Sequence, residues 1–428
     1  MIVVLGAGMT GLAVARASGG VVYEAERAPG GICSSYHLAP GEARRRARAD
    51  SGPAYRFEIG GGHWIFGGDP AVLRLIEGLG PMRRYQRRSS VYFPDEMLFV
   101  PYPLQNHLRY LGPDTAARAL AEMRAAETGA VTMRDWLAQS FGATLTARFF
   151  EPFHALYTGG LHARIAPQDG YKSPVDLAAA AMGAVADAPP AGYNVSFVYP
   201  ADGLDTLAAR LAEGSRVEYG HRVVRIDTRQ REVAFADGSR AGYQRLVSTL
   251  PLNRALELAG LDAGTPDPYT SVLVLNVGAV RGPRCPDDHW VYVPRSRAGF
   301  HRIGFYSNVD VSFLPAAPRT REARVSLYVE RAYAGGTRPD AREVAAYVTA
   351  VADELREWGF IGEVEVADPT WIDVAYTWAW PGSRWRDDAL RLLEEHGVRQ
   401  VGRYGRWIFQ GIADSIRDGL AEGAAVLR

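Results

Sequence analysis

The sequence predicts an α/β protein: a discontinuous Rossmann-like domain with a helical domain and an antiparallel β-sheet domain. Three observations carry that prediction. The chain opens on a strand, a glycine-rich turn, a small-residue helix and a second strand ending in an acid; an Ala-rich helical stretch runs from about 70 to 190; and β-rich runs with alternating aromatics occupy 269–280, 289–308 and 322–330. Segments like the opening strand recur in the middle and at the end of the chain. The Rossmann-like domain is therefore assigned to 1–80, 195–265 and 390–428, the helical domain to 105–190, and the sheet domain to 85–104 and 266–389.

Val3-Val4-Leu5 reads as a short buried strand, Gly6-Ala7-Gly8-Met9-Thr10-Gly11 as a tight turn, and Leu12–Arg16 as the start of a helix. Gly6 allows the sharp turn, Gly8 lets backbone N–H groups approach a pyrophosphate, and Gly11 lets helix and strand pack closely. The second strand, Val21-Val22-Tyr23, ends at Glu24, whose carboxylate is placed to accept hydrogen bonds from an adenosine ribose. A second glycine pair, Gly30-Gly31, would bring backbone to the same pyrophosphate, which an NAD-only site does not usually need. Residues 38–54, with the charge run Glu42–Arg46, read as a solvated loop or hairpin tip. Next, Phe57–Phe66 carries Gly60-Gly61-Gly62-His63 between bulky apolar residues. Backbone there must press against something flat and large, an isoalloxazine ring being one candidate and a core β-bulge with a hydrogen-bonded His63 the other.

Amphipathic helices are predicted at 70–79, 105–110, 114–127, 132–139, 143–150 and 175–186, interrupted by a strand pair at 90–93 and 97–100. β structure resumes at Val195–Tyr199. The runs 216–226 and 232–235 read as strands of the nucleotide domain, and 245–251 as an inner strand of the same sheet. The β-rich runs after 269 suit an antiparallel sheet forming a pocket wall, completed by a helix at 342–358 and strands at 362–366 and 371–376. Val398–Arg403 reads as a strand and turn, and Asp414-Ser415 starts a closing helix whose N-terminus could face a cofactor.

The bulk properties exclude several classes. The net charge of zero removes any electrostatic argument for nucleic acid or an anionic membrane as partner, and no apolar run is long enough to span a bilayer. Two cysteines, Cys33 and Cys285, far apart, fit a reducing compartment better than a disulfide scaffold. With no signal peptide before the first strand, a cytoplasmic location is expected; no metal is expected, and the oligomeric state is open. Lys172 is the only lysine.

At this point the residues resemble a known group. The opening G-A-G-M-T-G, Glu24, Gly30-Gly31 and Gly402-Arg403 are similar to the FAD flavoproteins that include amine oxidases, protoporphyrinogen oxidases and UDP-galactopyranose mutases. The resemblance implies FAD held by Gly6, Gly8, Met9, Thr10, Gly11, Glu24, Ala25, Gly30, Gly31, Gly61, Gly62, His63, Val224, Gly402, Arg403, Asp414 and Ser415. Further stretches resemble the mutases, the eukaryotic type most closely. Tyr102 and Gln105 match a Tyr and a Gln set against the uracil ring, and Phe149 a Phe that stacks on it. Trp290, Tyr292 and Arg302 match an aromatic, a phosphate-binding Tyr and an essential Arg, while Asn194 matches an Asn near flavin and sugar. His154, Tyr376, Trp378 and Phe409 complete the implied substrate set. The physical reading agrees in type: an aromatic face suits a base, an amide its edge, and a cation a diphosphate. Arg302, within an apolar strand, also needs an anionic partner. Taken singly, Phe149 is more often a core residue, Tyr102-Pro103 a turn, and Trp290 and Tyr292 one face of a sheet.

The chain departs from the mutase pattern where a second diphosphate-binding Arg belongs, since only Lys172, or Arg164 with a shifted alignment, stands there. Lys keeps the charge and loses the bidentate fork. Phe409 replaces an expected phosphate-binding Tyr, and Ala413 an Asn. The implied activity is a non-redox mutase that interconverts pyranose and furanose forms of an NDP-hexose of the UDP-galactose type. In it, reduced flavin N5 forms an adduct with the sugar, Arg302 and Lys172 hold the leaving diphosphate, His63 positions the flavin, and NAD(P)H primes it. The alternative is an FAD-dependent oxidase or dehydrogenase acting on a small metabolite or amine.

Overall fold

Ile2–Leu5 is apolar throughout and buried along most of its length, which suits a strand covered on both faces. It occupies the centre of a five-stranded parallel sheet in the order Val398–Gln400, Arg245–Ser248, Ile2–Leu5, Val21–Glu24 and Val217–Tyr219. These strands come from the beginning, middle and end of the chain, and Arg245–Ser248 is an inner strand as the sequence suggests. The computed structural model describes residues 1–46, 54–123, 129–168, 170, 173–192, 194–316 and 323–428. Lys172, the tip of the 38–54 loop and the end of the predicted 114–127 helix lie outside the described residues.

The first helix, Met9–Ser18, packs backbone to backbone on the last, Ile412–Ala425. Small residues make this possible, for a Cβ at Gly419 would stand 2.3 Å from the Thr10 carbonyl oxygen and one at Gly423 2.5 Å from that of Val14. The run 216–226 breaks after Tyr219. Its second half, Val223–Asp227, joins Glu232–Phe235 and Arg240–Gly242 in a separate antiparallel sheet, since Gly220 at φ 82° turns the chain away.

The larger sheet has seven strands in the order Ile361–Thr377, Tyr269–Arg281, Arg324–Ala334, Arg302–Phe305, Trp290–Tyr292, Ser89–Phe93 and Leu98–Pro101. It is mixed, not antiparallel throughout, because Trp290–Tyr292 and Ser89–Phe93 run parallel. Nearly two hundred residues separate these two strands, so no hairpin constrains their direction. The two strands expected at 362–366 and 371–376 are one continuous strand. Arg45 of the charge run docks on it, donating to Asp368 at 2.7 Å.

The helical part comprises Pro113–Glu122, Met133–Leu145, a π-helical turn Thr146–Phe150, Glu151–Tyr157 and Leu177–Gly183. The helix expected at 105–110 is instead two 3₁₀ turns, Leu104–Asn106 and Leu108–Leu111, cut short between Pro103 and Pro113. Among the described residues no helix is long and apolar enough to cross a membrane. The α/β class, helices with a large mixed sheet, holds.

Candidate active site

Two helix N-termini meet at one end of a cavity of about 440 Å³ that lies between the two sheets and the helical segments. The helix Met9–Ser18 begins at Gly8 and Ile412–Ala425 at Gly411, and Gly8, Met9, Thr10, Gly411, Ile412 and Ser415 line the cavity. Gly8 has no side chain to cap the first turn, so its amide N–H groups and the positive end of the helix dipole favour an anion there. The second glycine pair completes a cradle. The Gly30 N–H donates to the Ala7 carbonyl at 2.8 Å, and a Cβ on Gly31 would reach within 3.7 Å of the Gly8 Cα, whereas one on Gly8 would meet nothing. The groove thus passes backbone, not side chains, along its ligand, which fits the pyrophosphate of FAD.

Behind that groove, Gly6 and Gly11 work inside the protein: a Cβ on Gly11 would overlap the Gly6 carbonyl oxygen at 1.9 Å. Glu24 is buried and accepts the N–H groups of Ala7 at 2.6 Å and Glu26 at 2.8 Å, so the carboxylate expected on a ribose first braces the turn. Neither it nor Ala25 lines the cavity.

The next stretch revises the reading of the triple glycine. A Cβ on Gly61 would lie 2.9 Å from Glu330 Oε1, and one on Gly62 2.2 Å from the Tyr328 hydroxyl oxygen. Glycine is needed because the strand Arg324–Ala334 presses from behind, while Gly62 and His63 face the cavity. His63 Nδ1 donates to the Gly61 carbonyl at 3.2 Å, the only role a carbonyl leaves it, so Nε2 is its free acceptor. Burial, with the Arg403 charge nearby, lowers its pKa to about 4, and the ring is neutral at pH 7. Burial does the same to His154, also lowered to about 4, whose Nδ1 donates to the Phe150 carbonyl at 2.7 Å.

The far end is built from charges and rings. Arg302 Nη2 donates to Glu330 Oε1 at 2.5 Å, and His301 Nε2 stands 3.5 Å from Glu330 Oε2. Burial opposes charge on both members of the pair. Their mutual attraction outweighs it, keeping Arg302 charged and drawing Glu330 down to about 2. Arg403 is the second guanidinium. It donates to the Ala375 carbonyl at 2.8 Å and lies over Phe409 at 4.7 Å and Tyr376 at 5.3 Å, with no carboxylate partner among the described residues. Around these groups Tyr102 meets Tyr292 at 4.7 Å, Phe149 meets Phe153 at 5.1 Å, and Tyr157 meets Tyr376 at 4.9 Å and Trp378 at 5.6 Å. Asn194 is held by Arg87, which also donates to the carbonyls of Tyr102 and Ala191 at 2.9 Å each.

The fold therefore brings Gly8, Met9, Thr10, Gly30, Gly31, Gly62, His63, Tyr102, Phe149, His154, Asn194, Tyr292, Arg302, Tyr376, Trp378, Gly402, Arg403, Phe409 and Ser415 to one cavity. Others stand apart. Gln105 is buried with its amide donating to the Pro174 carbonyl, because the 3₁₀ turn after Pro103 swings it away from Tyr102. Trp290 shares a strand face with Tyr292 but packs into the core against Phe66 and Phe197. Asp414 turns back to the Gly411 N–H, and Val224 is exposed at an irregularity of its small sheet. Arg164 stacks on Trp380 at 4.9 Å, outside the cavity lining.

Sequence reasoning missed Glu330, His301 and Tyr157. Glu330 had a signal, a carboxylate directly after the mostly apolar run Val325–Val329, and the argument that demanded an anion for Arg302 applies to it in reverse.

With this geometry in hand, comparisons with known proteins converge. The family described as flavin containing amine oxidoreductase matches residues 20–425. Among solved structures, reduced UDP-galactopyranose mutase is similar with a TM-score of 0.85 at 20% identity, over 100% of this chain and 93% of that one. A chain from Exiguobacterium assigned as a protoporphyrinogen oxidase gives 0.68 at 15% identity, over 99% and 98%. A fatty acid isomerase from P. acnes gives 0.60 at 13% identity, over 100% and 98%. At these identities the likeness concerns the fold.

Proposed function

We propose that this chain, which belongs to the flavin-containing amine oxidoreductase family, is a flavin-dependent mutase that interconverts pyranose and furanose forms of an NDP-hexose of the UDP-galactose type. One observation carries the reading: Arg302 is held charged in an aromatic enclosure beside the Gly61–His63 loop, where a leaving diphosphate needs a fixed cation. The full-length fold likeness to reduced UDP-galactopyranose mutase supports it.

FAD, when bound along the Gly8 and Gly30-Gly31 groove, supplies the nucleophile in its reduced form. The chain does the rest. Phe149 and Tyr102 offer faces for the base, Arg302 and Arg403 hold the diphosphate within reach for its return, and Asn194 and neutral His63 orient the sugar and the ring system. NAD(P)H, entering the same cavity, is the reductant.

A second reading, oxidation of a small metabolite or amine, is favoured by Glu330, which gives Arg302 a partner before any anionic substrate arrives. An anaerobic assay with UDP-galactofuranose, with and without dithionite, separates the two. Conversion only after reduction is the mutase outcome. No conversion, with stoichiometric flavin reduction by another substrate, overturns it.

A further inference from the structure

Beside Arg302, His301 has an unusual setting. Its ring is almost fully buried yet lines the cavity; Nε2 faces Glu330 Oε2 at 3.5 Å, and Nδ1 is buried without a partner among the described residues. Glu330 Oε2 likewise has no formed hydrogen bond among the described residues. The 3.5 Å gap is longer than a hydrogen bond and short enough to close by a small rotation, as catalytic contacts do on ligand binding. Glu330 cannot drift, for its other oxygen is fixed by Arg302 and backed by Gly61. Phe153 and Tyr157 wall the ring in at 6.1 and 5.3 Å.

We propose that His301 is a catalytic residue that carries the proton of this reaction, with Glu330 as the positioning carboxylate that fixes its tautomer. The inference rests on the mutase reading. Ring interconversion moves protons without net uptake. The bound cofactor would supply the nucleophile whose electron pair forms a bond to the anomeric carbon as the C–O bond to the diphosphate breaks with its pair leaving on the diphosphate, and His301 would take the proton that this substitution releases. As the pyranose C–O bond breaks with its pair staying on the ring oxygen, the same nucleophile would make good the electron deficit at the anomeric carbon, and the imidazolium would give the ring oxygen the proton. On closure, the attacking hydroxyl oxygen would form the furanose C–O bond with its own pair, returning the second pair to the nucleophile, and hand its proton to His301. When the diphosphate oxygen re-forms its bond to the anomeric carbon, the bond to the nucleophile would break with its pair on the nucleophile, which takes the proton back, so the imidazole ends neutral. Glu330 meets the transient imidazolium charge, the task a buried carboxylate performs for a histidine base.

The groups facing the ring are Glu330, Arg302 next to it in the chain, and His154 and Tyr157 on the helix Glu151–Tyr157. Burial and Arg302 depress the imidazole pKa below its ordinary value of 6.5 while Glu330 resists. His301→Gln in the reduced holoenzyme should lower kcat for UDP-galactofuranose by about 10²–10⁴-fold with KM within threefold, and remove the acid limb of the pH profile below about 6.5. A kcat within threefold of wild type, or a retained limb, overturns the role. Ring-nitrogen NMR of histidine-labelled, oxidised holoenzyme needs no turnover. It should show His301 protonated at Nε2 at pH 7, and Glu330→Gln should shift its titration downward. If the reduced wild type fails to convert UDP-galactofuranose, the mutase reading falls; unchanged His301 shifts in Glu330→Gln overturn the pairing itself.

Discussion

The two ends of the cavity are built on different principles. At one end, Gly8, Gly30 and Gly31 present backbone along a groove and Glu24 holds the turn rigid. At the other, the adjacent His301 and Arg302, Glu330 on the neighbouring strand and Arg403 in the turn after the last strand are side chains brought together from distant parts of the chain. The first end offers bare backbone amides of the kind that suit a pyrophosphate and is defined by an absence of side-chain atoms. The second is defined by charges that must be compensated inside the protein, which is where specificity and cost concentrate.

The largest expected effect falls on the backbone-built end. Gly11→Val places side-chain atoms where a Cβ already overlaps the Gly6 carbonyl at 1.9 Å, so the first strand and helix cannot keep their contact. Purified Gly11→Val should retain no flavin by absorbance at 450 nm. Stoichiometric flavin in a folded variant would show that the groove adapts, erasing the contrast between the ends.

Next comes the charge-built end. Glu330→Ala leaves the Arg302 guanidinium, 21% exposed in the cavity, without its ion-pair partner, a loss of about 1–3 kcal/mol in chemical denaturation. The Glu330→Ala/Arg302→Met double variant should recover most of it, because removing both charges removes the penalty. Additive losses would mean that the two residues act independently.

The same division governs what the sequence reveals. The opening turn is a local motif, so its residues and spacing are read directly from the sequence, the packing role of Gly11 included. Arg302 was legible only as a question, a cation in need of an anion. The anion proved to be Glu330, paired across adjacent strands at a register no linear reading supplies. Gln105 shows the opposite failure: its residue type suited a base edge, but one 3₁₀ turn decided where its amide went. The triple glycine was recognised as a close approach, yet its partner, Tyr328, lies over 260 residues away.

A smaller effect concerns acid. His63, with a pKa near 4 in the fold and about 6.5 when unfolded, binds a proton more readily in the unfolded chain between those values. Its contribution to stability is complete above pH 6.5 and is lost as pH falls toward 4, with a slope of at most about 1.4 kcal/mol per pH unit. Urea midpoints of wild type should therefore fall more steeply than those of His63→Gln as pH drops from 6.5 to 4. Parallel curves would place the acid sensitivity elsewhere, with His154 the next group to replace.

The smallest effect tests how far the backbone-built end extends. Val224 is exposed, and the strand pairing shifts between Val223 and Arg225, so its side chain reaches no ligand groove while its amide lies outside the regular ladder. If adenine is read there, it is read by backbone. Val224→Ala should then leave FAD affinity within twofold, whereas Val224→Pro, which removes the N–H, should weaken it about fivefold, the worth of one hydrogen bond of about 1 kcal/mol. Equal affinities for both variants in fluorescence titration would end the backbone rule at Glu24. A loss in Val224→Ala would mean that a side chain takes part after all.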